Sequence, residues 1–524
     1  MQSRLALLAA LCLFTACATR PSPSEATIDP AAIARHIEVL ASDAFEGRAP
    51  GTAGEAKTVA YIVEQMRTAG LQPGNGDSWF HDVPLVETAP SRSATLRIDG
   101  SKGAAAFEWG EEALIFNPAA SADARLDRSP LVFVGYGLSA PDKGWDDLAG
   151  VDLAGKTVVM LAGAPEALKD AGPAAASTAK VAAAAQRGAA GTIVVLPESF
   201  DDKQWEAFVA GERRPDLQLD GKQSGPRIDV RLRHEAADRL FAASGQDFDA
   251  LRASAVRPGF KPVALGSRAT VRAEGRVRRF ASRNVLGMLK GAKRPDKYVL
   301  FLAHWDHLGR CAPDAADPIC NGAIDNASGV GGLIELGRAF ATGKRPDRSV
   351  LFLATTAEEG GLMGAKHFVE RPPVPLAKIV GGLGSDTIAS GGAPADVVVL
   401  GAGLSPDMDR IIAGAAASQG RRVVADKSTE GFFQRSDHYP FAAAGVPVLI
   451  ATSVFAPGAR AATDAYFAEH YHKPSDEYRP GLRLDGAARD IELAHRVGLR
   501  LANSRTWPGW KPGSAYAVAR AKQR

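Results

Sequence analysis

The stretch YVLFLAHWDHLG, residues 298–309, joins a hydrophobic run to a group of polar residues. Its first six residues are continuously hydrophobic, which is typical of a strand buried on both faces of a parallel sheet. His304, Asp306 and His307 follow directly. Because ligands bind beyond the carboxyl ends of strands in such sheets, the stretch predicts a functional site where this strand ends.

Helix-like and strand-like segments alternate after this stretch. The predicted helices include DNASGVGGLIELGRAFA and PDMDRIIAGAAASQG, and the predicted strands include SVLFLATTAEE, KIVGGLGSD and VPVLIATS. Continuous hydrophobic strands separated by helices predict an α/β domain with a doubly wound, mostly parallel sheet.

Acidic and histidine residues recur at the ends of these predicted strands. Glu358 and Glu359 follow one strand, Asp386 follows another, Asp325 begins a helix, and His472 lies in the loop YHKPSDEY. Each has a simpler explanation alone, because Asp325 is also a good helix cap and the glutamates are also typical surface acids. Their common placement instead predicts one site.

The chemistry of this set suits zinc, which accepts nitrogen and oxygen ligands. Two ions about 3.5–4 Å apart can share a carboxylate and activate a water. The Glu358-Glu359 pair can supply a ligand and a separate general base. Asp306 is placed to orient the ring of His304.

Length and composition limit the other possibilities. A chain of 524 residues is too long for one ordinary core, and hydrophobic and charged fractions of 46% and 23% are those of a globular protein. The net charge of +3 gives no support for a nucleic-acid partner. No segment after the amino terminus is apolar enough to be transmembrane.

The amino terminus is predicted to be a targeting segment. Residues 1–17, MQSRLALLAALCLFTAC, combine an early cation, an apolar run and small residues before a cysteine. The ending resembles a bacterial lipoprotein cleavage site, although Phe14 departs from its usual Leu or Val, and the resemblance implies lipidation of Cys17. The alternative is a plain cleaved signal. Residues 18–28 are predicted to be a flexible tether.

We therefore expect an exported protein of the periplasm or cell envelope, attached to a membrane only through its lipid. Beyond Cys17, the close pair Cys311 and Cys320 is predicted to form a disulfide, with a metal site as the alternative.

Several of these motifs together resemble the di-zinc aminopeptidase family, which includes glutamate carboxypeptidase and the transferrin receptor. They are AHWDHLG, NGAIDNASGV, TTAEEGGLMGAKHF, GSDTIAS, RSDHYPFAAAGVPVL and YHKPSDEY. The segment at residues 130–262 resembles an inserted, β-rich protease-associated domain that limits substrate access. The predicted divisions are residues 29–129 and 263–505 for the peptidase domain, 130–262 for the insertion, and 506–524 for a tail.

The resemblance implies a role for each site residue. His304 and Asp386 would hold one zinc ion, Glu359 and His472 a second, and Asp325 would bridge them. Glu358 would be the general base, and Asp306 would orient His304. GSDTIAS departs from the family's usual Asn-x-Asp-hydrophobic form. The match to the family's motif is therefore weaker at Asp386 than at the other implied ligands.

Three further residues are candidates for substrate contacts. His438 is either a contact to the substrate or part of a helix cap, Tyr471 either stabilises an oxyanion or only packs, and Glu430 could contact a substrate amine. His307 has less support as a metal ligand.

The sequence therefore predicts an exported zinc exopeptidase that cleaves peptides, with an aminopeptidase as the first interpretation. A carboxypeptidase stays open, with Arg435 or Arg460 holding the terminal carboxylate. So do a zinc-dependent glutaminyl cyclase and a metal-free, receptor-like binding protein.

Overall fold

The computed structural model describes residues 27–89, 91–140, 143–168, 176–221 and 225–523. The predicted signal, most of the predicted tether and Cys17 lie outside these residues. Within the described ranges, no helix is both long enough and apolar enough to cross a membrane.

The chain folds into two large sheets with helices packed against them. The strands are β1 (Gln72–Pro73), β2 (Phe80–Thr88), β3 (Thr95–Gly100), β4 (Gly103–Glu108), β5 (Ala113–Phe116), β6 (Asp123–Phe133), β7 (Ser139–Ala140), β8 (Trp145–Asp146), β9 (Thr157–Leu161), β10 (Gly191–Val195), β11 (Asp216–Leu219), β12 (Ile228–Leu232), β13 (Val263–Glu274), β14 (Val277–Leu289), β15 (Arg294–His304), β16 (Arg348–Thr355), β17 (Ile379–Gly384), β18 (Asp396–Leu400), β19 (Arg422–Val424) and β20 (Val448–Thr452). The helices are α1 (Pro30–Leu40), α2 (Ala53–Thr68), α3 (Ser177–Gln186), α4 (Asp202–Gly211), α5 (His234–Ala243), α6 (Phe248–Ala255), α7 (Ser328–Thr342), α8 (Met363–Glu370), α9 (Pro406–Ala417), α10 (His438–Ala443), α11 (Arg460–Glu469), α12 (Asp485–Asn503) and α13 (Ala515–Lys522).

The first sheet is parallel at its centre, with antiparallel pairs on both sides of the central strands. Its order is β11-β2-β14-β16-β15-β17-β20-β18-β19, with β1 paired to β14. Strands β16, β15, β17 and β20 run parallel, whereas β11, β2 and β14 join them through antiparallel pairs and β18 is antiparallel to β20. The α/β class is confirmed, but the prediction of a mostly parallel sheet holds only for these central strands.

Side chains of the central strands alternate between two cores. In β15, Val299 and Phe301 pack with helices α1, α7, α9 and α12 on one face, whereas Leu300 and Leu302 pack with α8 and α10 on the other. Both faces are covered, which explains why the strand is hydrophobic at every position.

The second sheet has the order β4-β3-β13-β6-β9-β10-β12-β5. Its strands lie between Thr95 and Glu274, a wider span than the predicted insertion of residues 130–262. Helix α5 contacts β3 and β4, and α3 contacts β10. Strand β11 leaves this unit and pairs with β2, with Leu219 opposite Leu85, so the second unit is tied to the first sheet. The protease-associated identity of the unit stays a prediction.

Two capped helices precede the sheets. The Asp29 carboxylate accepts the N–H of Ala31 at the start of α1, and the Thr52 hydroxyl accepts that of Glu55 at the start of α2. Between them, the short turn Asp43–Arg48 includes three consecutive residues with left-handed backbone, Glu46, Gly47 and Arg48. This turn directs the Arg48 side chain into the protein interior.

Candidate metal centre

The carboxyl ends of β15, β16 and β17 meet because these strands are neighbours in the sheet. His304 is the last residue of β15, Glu358 and Glu359 come shortly after β16, and Asp386 comes two residues after β17. The topology thus brings together side chains that are up to 82 residues apart along the chain.

One cluster forms around His304. Its Nε2 atom lies 3.3 Å from Asp325 Oδ1 and 3.4 Å from Asp386 Oδ1. The histidine and Asp325 are buried, and Asp386 is partly buried. Three ligand atoms therefore converge at one point.

A second cluster shares Asp325. The Nε2 atom of His472 lies 3.3 Å from Asp325 Oδ2 and 3.0 Å from Glu359 Oε2. His307 also belongs to this cluster, with its Nδ1 atom 2.6 Å from Glu359 Oε1. The two Asp325 oxygens thus face different clusters.

The ligand atoms of the two clusters are arranged for metal ions rather than for hydrogen bonds to one another. Nδ1 and Nε2 of His307, Oε1 of Glu359 and Nε2 of His472 are buried without a hydrogen-bond partner among the described residues. Buried polar atoms are rarely left this way. Imidazole nitrogens and carboxylate oxygens are ligands that zinc accepts, so the residues present fit zinc.

Glu358 belongs to neither of these two clusters. Its Oε2 atom is 4.0 Å from His304 Nε2, and its side chain lines a cavity beside the cluster. Burial raises the pKa of the Glu358 carboxyl well above its usual range, despite the opposing charge of His304. A raised pKa makes the ionised carboxylate a stronger proton acceptor than an ordinary glutamate.

Asp306 has a different contact from the predicted one. Its carboxylate is 3.9 Å from His304 Nδ1, which instead lies 3.2 Å from the main-chain oxygen of Asp306. The carboxylate accepts the backbone N–H groups of Glu358 at 3.0 Å and Glu359 at 3.3 Å. Asp306 therefore positions the glutamate pair, whereas its carbonyl faces His304.

Asp325 is held by a residue that the sequence analysis did not single out. The Asp476 carboxylate accepts the N–H groups of Ile324 at 3.0 Å and Asp325 at 3.1 Å, and the Tyr466 hydroxyl at 3.0 Å. Asn326 accepts the Thr387 N–H, so it links this turn to the loop of Asp386. The peptide bond between Asp325 and Asn326 is cis.

Arg48 was also not predicted. Its fully buried guanidinium donates to the carbonyls of Trp305, Leu40, Asn321 and Gly322 at 2.5–2.9 Å. Trp305 lies between His304 and Asp306, and Gly322 precedes the Asp325 turn. One side chain therefore ties together two loops that carry candidate ligands. Burial lowers the pKa of Arg48 to about 10, although the Asp476 and Asp325 charges oppose the shift.

An apolar cavity opens beside the His304 cluster. Its walls include Leu400, Phe432, Ile450, Val454, Phe455, Phe467, Tyr471 and Arg435. The Tyr471 ring stacks on His472 with ring centroids 3.7 Å apart. Tyr471 therefore both lines the cavity and packs on His472, and a substrate contact by this residue stays a prediction.

The other two predicted contacts lie elsewhere. His438 is fully buried against Phe433, with ring centroids 5.1 Å apart, and is not among the residues that line this cavity. Glu430 is exposed and lines a separate depression beside Lys427 and Thr429. Neither residue therefore lines this cavity, although Asp386 is near enough to His438 for its charge to oppose the lowering of the His438 pKa by burial.

The two arginines considered for a carboxypeptidase also differ. Arg435 lines the apolar cavity and lies over the Phe432 ring at 5.1 Å. Arg460 forms ion pairs with Asp426 at 3.0 Å and Asp464 at 2.8 Å. Only Arg435 is therefore positioned to meet a substrate carboxylate in the cavity.

A second cavity reaches the Glu359 cluster from the side of the second unit. It is lined by Asp306, His307, Glu359 and His472, and by Glu212, Arg214, Asp216 and Leu217 from the segment that ends in β11. Strand β11 pairs with β2, which holds this charged wall beside the centre.

The loop after β15 is closed by a disulfide between Cys311 and Cys320, whose Cα atoms are 5.7 Å apart. The Gly309 carbonyl accepts the N–H groups of both cysteines, at 3.1 and 2.8 Å. The loop therefore lies between the His304 strand and the Asp325 turn as a compact unit.

The fold and these clusters define an α/β domain with a candidate metal centre at the carboxyl ends of its parallel strands. Residues 284–492 match the model of Peptidase family M28. The predicted resemblance is thereby confirmed.

Curated relatives match over shorter segments. Aminopeptidase NAALADL1 of Mus musculus is 36% identical over 121 residues, which are 22% of this chain and 15% of the relative. A probable zinc metalloprotease of Pyricularia oryzae (strain 70-15 / ATCC MYA-4617 / FGSC 8958) is 35% identical over 134 residues, 24% of this chain and 26% of the relative. The chain therefore matches only a minor part of the length of these relatives.

A solved structure matches over nearly the whole chain. It is an aminopeptidase from Aneurinibacillus sp. strain AM-1, with 22% sequence identity and a TM-score of 0.57, covering 93% of this chain and 97% of that one. At this identity the match shows a shared fold.

Proposed function

We propose that this protein is a zinc-dependent aminopeptidase that removes residues from the amino terminus of peptides. The observation that carries the proposal is the pair of ligand clusters that share Asp325, with Glu358 beside them in a cavity. The match of residues 284–492 to Peptidase family M28 supports peptide hydrolysis as the chemistry.

Two zinc ions would be held by the two clusters. His304 and Asp386 would hold one, Glu359 and His472 the other, and Asp325 would bridge them. When bound, zinc supplies Lewis acidity, which makes a water more acidic and a substrate carbonyl more electrophilic.

The side chains of the protein carry the proton transfers. Glu358 accepts a proton from the attacking water as the water oxygen bonds to the carbonyl carbon. It then returns that proton to the nitrogen of the departing amine as the carbon–nitrogen bond breaks. The backbone bonds from Glu358 and Glu359 to Asp306 fix both glutamates during these steps.

Tyr471 is proposed to stabilise the oxyanion that forms on the carbonyl. Burial and the nearby Asp325 carboxylate raise the pKa of its hydroxyl, so the group stays protonated and can donate a hydrogen bond. Its position on the cavity wall supports this role.

The apolar cavity would accept the side chain of the residue that is removed. Its walls of Phe, Leu, Ile and Val favour a nonpolar side chain by burying it from water. The printed names of Aminopeptidase NAALADL1 and of the Aneurinibacillus aminopeptidase support the amino-terminal choice. The placement of Arg435 supports a second candidate, a carboxypeptidase whose substrate carboxylate meets this guanidinium.

We also propose that the second unit is a protease-associated domain that narrows access to the centre. Its segment of residues 211–217 lines the charged cavity at Glu359 and His472. A substrate approaching from this side would have to pass that wall, so extended or folded substrates would be disfavoured.

Export and membrane attachment are proposed from the sequence alone. The apolar run and Cys17 in residues 1–17 support a lipidated protein of the cell envelope. Metabolic labelling with a lipid precursor tests this, since the wild-type protein would carry the label and a Cys17→Ala variant would not.

The function is tested with the protein from residue 29 onwards, zinc-loaded, on aminoacyl chromogenic substrates and on amino-blocked dipeptides. We expect hydrolysis only of the substrates with a free amine, inhibited by a chelator and restored by zinc. Glu358→Gln is expected to lower kcat by about 10²–10⁴-fold while zinc content is unchanged.

The other outcomes each overturn the proposal in a recognisable way. Cleavage only of amino-blocked dipeptides would establish the carboxypeptidase instead. Cyclisation of amino-terminal glutamine without hydrolysis would establish a glutaminyl cyclase. A protein that binds no zinc and cleaves nothing would be a receptor-like binding protein.

A further inference from the structure

We propose that His307 is a further metal ligand, on the side of the centre formed by Glu359 and His472. The inference rests on the proposed zinc function. The sequence pattern alone gives little support for this histidine as a metal ligand.

The ring nitrogen of His307 lies within reach of an ion held by Glu359 and Asp325. His307 Nδ1 lies 2.6 Å from Glu359 Oε1 and 4.0 Å from Asp325 Oδ2. Zinc bonds to nitrogen and oxygen are about 2.0–2.2 Å, so two ligands of one ion lie no more than about 4.2 Å apart. Both distances fall within this limit.

The contact with Glu359 lacks the alignment of a hydrogen bond. His307 Nδ1 and Glu359 Oε1 are each without a hydrogen-bond partner among the described residues. Nε2 of His472, a ligand predicted from the sequence, is in the same condition. Nitrogen and oxygen atoms that approach closely without this alignment are arranged as ligands that point to a common ion.

Other histidines in the protein behave differently. His36 Nδ1 lies 2.8 Å from the Tyr61 hydroxyl, and His81 Nε2 lies 3.0 Å from the Arg371 carbonyl. His470 Nδ1, two residues before His472, lies 3.0 Å from the Ser475 hydroxyl. The ring nitrogens of His438 are buried without hydrogen-bond partners among the described residues, and its ring packs on Phe433; the Asp386 charge acts on it, but no ion pair is found between them. His307 alone of these combines burial with a carboxylate contact in the cluster.

The surroundings fix the ring in this position. The His307 side chain is fully buried. Gly322, which has a φ of 61°, packs directly on the ring, and a Cβ at this position would lie 2.5 Å from the ring Cγ atom. Arg48 holds the Gly322 carbonyl at 2.9 Å. Gly322 therefore bounds one side of the His307 ring, and Arg48 holds this glycine in place.

The two metal positions would then be unequal. One would have one imidazole with Asp325 and Asp386, and the other would have two imidazoles with Asp325 and Glu359. The extra nitrogen should strengthen zinc binding at the second position.

X-ray absorption spectroscopy at the zinc edge tests the proposal on the wild-type protein loaded with two zinc ions. Scattering from imidazole rings is expected to correspond to three rings for two ions, from His304, His307 and His472. His307→Ala should lower this to two rings for two ions at saturating zinc. It should also weaken one zinc-binding step by more than about 100-fold, beyond the loss typical of residues that only orient a ligand.

His470→Ala serves as the matched control, since His470 is also close to the centre but its Nδ1 contacts Ser475. Its spectrum and its zinc affinities are expected to equal those of the wild type. Circular dichroism of His307→Ala establishes that the variant is folded, and the wild-type ring count decides the question even if it is not.

Two results would overturn the inference while leaving the proposed function intact. One is two imidazole rings for two zinc ions in the active wild type. The other is a folded His307→Ala variant whose ring count and zinc affinities are unchanged. A wild type that binds no zinc would instead remove the proposed function itself.

Discussion

The two large sheets have similar topologies and very different strand ends. Each has parallel strands at its centre, β16-β15-β17-β20 in the first sheet and β6-β9-β10-β12 in the second. In the first sheet, the carboxyl ends lead to His304, the glutamate pair and Asp386. Within the described ranges, both groups of side chains suited to a metal ion lie at this end of the first sheet.

In the second sheet, the corresponding region is filled by a structural side chain. The Lys180 ammonium is buried and donates to the carbonyls of Leu161 at 2.7 Å and Gly163 at 2.8 Å, at the end of β9. Among the described residues, only the strand ends of the first sheet carry side chains arranged around a shared point that suits a metal ion. Topology supplies the place for a site, and particular residues supply the chemistry.

The largest effect on stability is expected from replacing Arg48, which ties two ligand-bearing loops together at the first sheet. Arg48→Met would leave four buried carbonyls without their donor and remove a buried cation on which the charges of Asp476 and Asp325 act. We expect a loss of about 3–5 kcal/mol in the free energy of unfolding. Zinc affinity should fall as well. Urea denaturation and zinc titration measure the two effects.

Arg67→Met on α2 is the control, since Arg67 is exposed and its contacts are the exposed Glu64 carboxylate at 2.9 Å and the Trp79 ring at 6.0 Å, neither of them part of the metal centre. Its effect should stay within about 0.5 kcal/mol. An Arg48→Met protein with wild-type stability and zinc affinity would show that the two loops do not depend on this guanidinium.

A smaller effect is expected from Asp306→Asn, which keeps the shape of the side chain. The asparagine can accept one of the backbone N–H groups of Glu358 and Glu359, but its amide repels the other. We expect zinc affinity or kcat to fall by about 10–100-fold with little change in the unfolding transition. Asp314→Asn, in the exposed part of the disulfide loop, should change neither quantity. Equal kinetics for wild type and Asp306→Asn would contradict the positioning role.

The smallest effect is expected in the second sheet. Lys180→Met removes the donor to two buried carbonyls and should lower the free energy of unfolding by about 1–3 kcal/mol. Zinc content and kcat per folded molecule should not change, because no ligand lies in this sheet. Loss of zinc from this variant would show that a change in the second sheet affects zinc binding at the first sheet.

Lys180 also predicts a pH dependence. Burial lowers its pKa to about 8 in the folded protein, against about 10.4 in an unfolded chain. Between these values the unfolded chain binds the proton more strongly, so this residue makes stability rise with pH from about 8 to about 10. The urea midpoint of the wild type, measured relative to that of Lys180→Met, should therefore rise as the pH increases over this range. A difference that shrinks over this range would be the opposite of the prediction.

The sequence predicted the parts of the site that follow strands. His304, Glu358, Glu359 and Asp386 each come directly after a hydrophobic run, and that local pattern carries the information. Arg48 and Asp476 act through contacts to backbone groups more than 150 residues away, which no local pattern encodes. His307 carried a usable signal, since it lies in the same polar group as His304 and Asp306.

The sheet edges could not be predicted for a similar reason. Short strands such as β3 and β4 fit either sheet by their hydrophobic pattern, and only tertiary pairing assigns them to the second one. Strand β11 lies within the second unit along the chain and yet pairs with β2 of the first sheet. The antiparallel direction of β14 is likewise determined by its pairing with β2 and β16.

The most direct test of the central proposal is a titration of the metal-free protein with zinc, in which bound zinc and hydrolysis of an aminoacyl chromogenic substrate are measured together. We expect two zinc ions per chain at saturation and full activity only as the second ion binds. The same titration of Glu358→Gln should give the same two ions and almost no activity. Binding of no zinc, or hydrolysis that is complete before any zinc is added, would contradict the account.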